Sequence, residues 1–196
     1  MTERRTTERR RRHPTRWIAG AVLVALVVVG IVLATRTSQE ATAVQSPLLG
    51  RTAPALSGTD LSSGAPVSLE ALRGHYVLVN FFASWCGPCQ QEAPDLSRFH
   101  YQQAHISDGA DMVSVVFHDT TSTARAFLRS NGDLWPAVSD PGGVIAEHYG
   151  VTAPPTTFVI DPSGRVAAVL VGPATQANLN ASLKAAHAVP SGSGHG

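Results

Sequence analysis

Residues 78–94 read LVNFFASWCGPCQQEAP, and the architecture turns on what that stretch joins. Residues 76–82 are almost continuously apolar and rich in β-branched and aromatic side chains, the pattern of a strand buried on both faces. From Pro88 to residue 105 the period lengthens: Cys89, Ala93, Leu96 and Phe99 recur at helical spacing, with Pro94 inside the helix as a kink position. Trp85, Cys86, Gly87, Pro88 and Cys89 stand at the junction. Two cysteines this close cannot staple distant parts of a fold; the spacing is that of a redox pair or of half a zinc site. If the helix starts at the first cysteine, its unpaired N–H groups and macrodipole favour a thiolate on Cys86. Pro88 then occupies the first turn at no cost in hydrogen bonds, and Cys89 faces inward one turn further on.

Working outward, residues 112–117 (MVSVVF) predict a second buried strand. Residues 121–130 predict a helix with threonines as caps and a stop before Asn131-Gly132. A short strand at 135–139 and a short helix at 142–149 follow. Two further strands, 156–160 and 165–171, are joined by a tight turn at Asp161-Pro162-Ser163-Gly164, and a helix over 175–188 closes the chain. Upstream, residues 65–69 predict a short strand or hairpin arm, then a single helical turn through Leu72 and a stop at Gly74. Strands and helices in this order predict an α/β fold, a central mixed sheet flanked by helices.

The composition is globular, with 43% hydrophobic and 15% charged residues, and its net charge of +1 conceals a segregation. Residues 1–16 carry seven arginines against Glu3 and Glu8, while the rest of the chain is acidic. A basic tail raises the question of nucleic acid, but this one abuts residues 17–35, nineteen residues without a charge, so no nucleic-acid partner is expected. As a helix that run is about 28 Å long, matching the hydrocarbon thickness of a bilayer. Arginines before it keep the N-terminus cytoplasmic and place the remainder outside. A cleaved signal peptide is the competing reading, with Ala41-Thr42-Ala43 as a small-x-small site; the length of the run favours an uncleaved anchor. The expected organisation is a cytoplasmic basic segment (1–16), a transmembrane anchor (17–35), a tether (36–46), a folded domain (47–189) and a disordered tail (190–196).

Zinc needs four ligands, and no second cysteine pair or paired histidines follow the first. The eight histidines are scattered, and only His118, at a strand end, invites inspection. No metal is expected.

Taken together, G50-R-T-A-P54, V67-S-L-E-A-L-R-G74, residues 78–94 and G150-V-T-A-P-P-T-T-F-V-I-D161 resemble the thioredoxin superfamily, and within it the TlpA/ResA/DsbE-like group of membrane-tethered proteins. The resemblance implies a thioredoxin-like domain with an N-terminal extension over roughly 49–188, working without a cofactor beyond a redox-active Cys86–Cys89 disulfide. It makes Pro155 the cis-proline that faces the cysteines, Pro94 the helix kink, Trp85 the aromatic beside the nucleophile and Glu92 an acid that tunes the thiols. A solvated surface carboxylate is the alternative for Glu92. Two departures stand out. Asn80 replaces the buried aspartate of cytoplasmic thioredoxins, and an amide cannot act as a general base. Pro154 precedes the cis-proline, where relatives pair backbone with the substrate peptide; a proline offers only its carbonyl.

The resemblance implies reduction of disulfides in exported proteins, apocytochrome c foremost, with electrons from a membrane donor of the CcdA/DsbD type. A DsbE-like oxidase is the runner-up; Gly87-Pro88 leans toward reduction. A thiol peroxidase fits poorly, because Phe81-Phe82-Ala83-Ser84-Trp85 lacks the Pro-x-x-x-Thr-x-x-Cys setting of that chemistry. A non-enzymatic thioredoxin-fold binding module remains as a further class.

Overall fold

The computed structural model describes residues 20, 22–29, 41–132 and 135–188. The chain divides into two units, Met1–Ser38 and Gln39–Gly196. Of the first, residues 22–29 are helical and expose Val22, Leu23 and Leu26. The rest of the expected anchor, the basic segment and the C-terminal tail lie outside the described residues. Among the described residues no helix is long and apolar enough to cross a membrane.

The second unit is built on a six-stranded sheet. Its strands are β1 (Thr42–Ala43), β4 (Val77–Phe82), β5 (Asp111–Val116), β6 (Ala137–Ser139), β7 (Thr156–Ile160) and β8 (Val166–Val171), in spatial order β1-β8-β7-β4-β5-β6. Strands β4, β5 and β6 run parallel, whereas β7, β8 and β1 pair antiparallel, so the sheet is mixed as the element order implies. A separate ladder of β2 (Ser57–Thr59) and β3 (Pro66–Ser68) precedes a 3-10 turn, Glu70–Leu72. Among the described residues four α-helices complete the unit: α1 (Gly87–Gln103), α2 (Thr121–Asn131), α3 (Val144–Tyr149) and α4 (Gln176–Ala188).

All six residues of β4 are buried. Successive side chains of a strand point to opposite faces, and the core divides accordingly. Val77, Val79 and Phe81 join Tyr149, Phe158 and Leu69 on the face covered by α3 and the β2–β3 ladder. Leu78 lies on the other face with Leu96 and Phe99 of α1 and Leu179 and Leu183 of α4. At the C-terminal end of that face Phe82 and Val116 pack with Cys86, Cys89 and Ala124 and Leu128 of α2. Asn80 shares the face of Leu78 and Phe82, and this parity brings its amide under α1.

Two short strands escape the sequence reading. Part of the stretch expected as tether is β1, with Thr42 opposite Val171 and Ala43 opposite Leu170. The Ala41 N–H donates to the Pro173 carbonyl at 2.8 Å, and Asn178 Nδ2 donates to the Ala41 carbonyl at 3.3 Å. Two residues carry no periodicity of their own; the edge of β8 makes them a strand. The same holds for β2, whose partner is β3.

Candidate active site

The backbone passes from β4 into α1 through Ala83, Ser84 and Trp85, and Cys86 is the N-cap of the helix. Its φ of −83° and ψ of 107° are extended, and its sulfur accepts the Cys89 N–H at 3.1 Å. A sulfur thus does what a serine or threonine oxygen does at other helix starts. No acidic residue stands in the first turn of α1, so nothing on the helix itself neutralises its positive end. Cys86 and Cys89 are joined by a disulfide, with Cα atoms 5.2 Å apart.

Cys86 is 4% exposed and Cys89 1%, so both residues are buried and Cys86 is the slightly more open of the two. Gly87 and Pro88 are exposed, and a side chain added at Gly87 would meet nothing within 4 Å. The approach over the first turn is therefore open. Trp85 is 58% exposed beside it, and its indole N–H donates to the His118 carbonyl at 3.2 Å.

Glu92 lies two turns into α1 and is 1% exposed, so the solvated-carboxylate reading of this residue is overturned. Asn80 Nδ2 donates to Glu92 Oε1 at 2.9 Å and to Thr157 Oγ1 at 3.0 Å, and the Ala174 N–H donates to Glu92 Oε2 at 2.8 Å. A buried carboxylate is tolerated only with such partners. The strand supplies an amide and the helix supplies the acid, which is how this chain keeps a carboxyl group buried between β4 and α1 with Asn80 in the strand. Spacing along α1 alone does not reveal it; the parity of Asn80 on β4 does.

The Pro154–Pro155 peptide bond is cis. Thr156 pairs with Phe81, so Pro155 comes just beyond that pair, level with the end of β4 from which the cysteine loop departs. Pro155 is buried, and its carbonyl accepts the Gly172 N–H at 3.0 Å; Pro154 is half-buried. Strand β8 also ends here, and β1 begins here, so the described chain enters the sheet at its dithiol end.

Two residues at this end lie outside the cysteine motif: His118, which the sequence marks only by its place at a strand end, and Asp119, which it does not mark. His118 has φ of +44°, unusual for a residue with a Cβ, and its exposed ring packs edge-on against Phe117. Asp119 Oδ2 accepts the Ser84 N–H at 2.7 Å. Burial pushes the Asp119 carboxyl up, but hydrogen bonds from Ser84, Thr123 and Thr120 outweigh it and hold the group below the usual carboxylate range. Among the described residues no group of three or more His, Cys, Asp or Glu could hold a metal ion.

This arrangement coincides with known proteins. The family model for Redoxin matches residues 48–184. A thiol:disulfide interchange protein DsbE homolog of Paracoccus denitrificans is 39% identical over 133 residues, covering 67% of this chain and 70% of that protein. The thiol-disulfide oxidoreductase ResA of Bacillus thuringiensis subsp. konkukian is 29% identical over 163 residues, covering 83% and 92%. Among solved structures, a thiol:disulfide interchange protein of the thioredoxin family from Chlorobium tepidum superposes with a TM-score of 0.62 at 30% identity, covering 73% of this chain and 99% of its own. A disulfide between two cysteines at a strand-to-helix junction, on this sheet and with these relatives, has one consistent meaning: the chain belongs to the Redoxin family, has the thioredoxin fold, and is a thiol–disulfide oxidoreductase.

Proposed function

We propose that the protein is a membrane-anchored reductant of disulfides in exported proteins, with the paired cysteines of apocytochrome c as its main substrate. The observation that carries this reading is the Cys86 sulfur at the N-cap of α1, accepting a helix N–H with no acid in the first turn. There a thiolate is favoured over a thiol. The Cys86 thiolate attacks one sulfur of a substrate disulfide; that S–S bond breaks, and the released substrate thiolate takes a proton. Cys89 then gives up its proton and attacks the Cys86 sulfur. The Cys86–Cys89 bond forms, and the second substrate thiol leaves protonated. Two electrons and two protons pass to the substrate, and the disulfide seen here is the product form of the enzyme. Glu92, buried on α1 one turn after Cys89, is the group through which the Cys89 proton is relayed.

Anchoring through residues 17–35, with the catalytic domain outside the cytoplasm, follows from the uncharged run behind an arginine cluster. A dithiol held there needs electrons from the membrane, which a donor of the CcdA/DsbD type supplies. Pro154 offers a substrate peptide its carbonyl and no N–H, so docking beside the cis-proline loses one hydrogen bond.

Equilibration against glutathione tests the direction, followed by offering the reduced protein a disulfide-bonded Cys-x-x-Cys-His peptide. A potential near the thioredoxin value of about −270 mV, with reduction of the peptide, is expected. A potential near the DsbA value of about −120 mV overturns the reductant reading in favour of an oxidase of exported thiols.

A further inference from the structure

Strand β5 delivers more to the site than its place in the sheet. Beyond Val116 the Phe117 N–H still bonds the Phe82 carbonyl at 2.7 Å, and the backbone then turns sharply at His118, with φ of +44°. A non-glycine residue held in the left-handed region persists only where its surroundings require it. The turn aims two acceptors at the loop that carries the nucleophile. The His118 carbonyl accepts the Trp85 indole N–H, and Asp119 Oδ2 accepts the Ser84 N–H.

The other carboxylate oxygen, Oδ1, accepts the Thr120 N–H at 2.7 Å and the Thr123 hydroxyl at 2.6 Å, so the group is tied to the start of α2. From the opposite side the Ser84 carbonyl accepts Gln90 Nε2 at 3.1 Å. Ser84 is thereby held from two sides, by Asp119 just ahead of α2 and by Gln90 of α1, and Trp85 by the His118 carbonyl. Trp85 is largely exposed, so burial does not orient it; the bond to His118 does.

We propose that Asp119 is a positioning residue for the dithiol, and that its charge biases the pair toward the reducing direction. The proposal rests on the thiol–disulfide reading of the site. Asp119 is tied to the nitrogen of residue 84, and two residues of chain span at most about 7 Å, so its charge lies within about a Debye length of Cys86. A negative charge there opposes the pull of the α1 N-terminus and disfavours the Cys86 thiolate. A less stabilised reduced form gives up its electrons more readily. Of the other titratable groups at this end, Glu92 is buried on α1, and the His118 ring is turned toward Gly143, where a Cβ would lie 3.0 Å from its Cε1. Neither holds residue 84, so the combined brace and charge belong to Asp119.

Asp119→Asn keeps one oxygen for the Ser84 N–H and removes the charge, at the cost of the acceptor for the Thr120 N–H, since an amide nitrogen only donates; Asp119→Ala removes the charge and every bond. Thiolate absorbance against pH and equilibration with glutathione are measured on the full chain and both variants. In Asp119→Asn the acid dissociation constant of Cys86 is expected to rise about threefold. The glutathione equilibrium should move about threefold toward the dithiol, which is about 14 mV for a two-electron couple. In Asp119→Ala the Trp85 fluorescence should change as well, reporting the lost brace. An unchanged titration and unchanged equilibrium in a folded Asp119→Asn protein would overturn the proposal, since a merely structural role moves stability alone. Failure of the unaltered protein to exchange with glutathione would instead sink the reading of the site itself.

Discussion

Helices α1 and α2 start at the ends of adjacent parallel strands and face the same physical problem, four unpaired N–H groups at a positive helix end. At α2 the answer is an oxygen: the Thr120 hydroxyl accepts the Thr123 N–H at 3.3 Å, with the Asp119 carboxylate just before it. At α1 it is the sulfur of Cys86, accepting the Cys89 N–H at 3.1 Å. A neutral sulfur is a weak acceptor, so the disulfide form leaves α1 poorly capped. A thiolate in the same place is a charged acceptor and caps it well. One helix end is therefore satisfied in every state, and the other is best satisfied when its cysteine is reduced and ionised. The difference in cap chemistry is the difference between a structural terminus and a reactive one.

Replacing the sulfur by oxygen makes the two ends alike and should have the largest effect on function. Cys86→Ser is expected to drop disulfide reduction to background in an insulin reduction assay. Its stability in urea should stay within about 0.5 kcal/mol of the reduced parent, because serine caps helices well. A loss of several kcal/mol would mean that Cys86 supports the fold beyond its cap.

The acids of the two helix starts differ as much as the caps. Glu92 is buried behind α1, while Asp119 stands in front of α2. Glu92→Ala orphans the Ala174 N–H and one bond of Asn80 Nδ2 in a dry interior. The expected destabilisation is roughly 2–4 kcal/mol, read from urea unfolding. An effect below about 0.5 kcal/mol would show that water replaces the carboxylate there and that the cluster is less closed than its burial indicates.

The smallest effect belongs to the ordinary cap. Thr120→Ala should cost about 1 kcal/mol and leave the thiol titration untouched, because the Asp119 carboxylate keeps its bond to Ser84. A shifted titration in this variant would show that the cap hydroxyl, through Thr123 and Asp119, also reaches the dithiol.

Much of the site could be read along the chain because its parts are consecutive. Cys86, Gly87, Pro88 and Cys89 announce a helix start with sulfur at its cap, and the apolar run before them announces the strand. The cis bond at Pro155 was legible only as part of a resemblance, since nothing in the residue pair Pro154-Pro155 dictates which isomer a fold selects. Glu92 has two open roles in the sequence because a lone acid six residues after Cys86 is compatible with a wet or a dry face. Its burial depends on Asn80, Thr157 and Ala174, which arrive from three other segments. Asp119 was missed for the same reason: its partner Ser84 lies on the neighbouring strand's loop.

The sequence by itself determined the local chemistry: an uncharged run behind arginines, a dithiol at a helix start, and alternating strands that bury both their faces. These are properties of neighbours along the chain, set by periodicity, capping and charge. Only the tertiary structure decided which groups meet the two segments around the cysteines: the Glu92 carboxylate bonded to Asn80 and Ala174, and the Asp119 carboxylate bonded to Ser84. Strand parity and parallel register bring those groups together, and register is a relation between segments that no one segment carries.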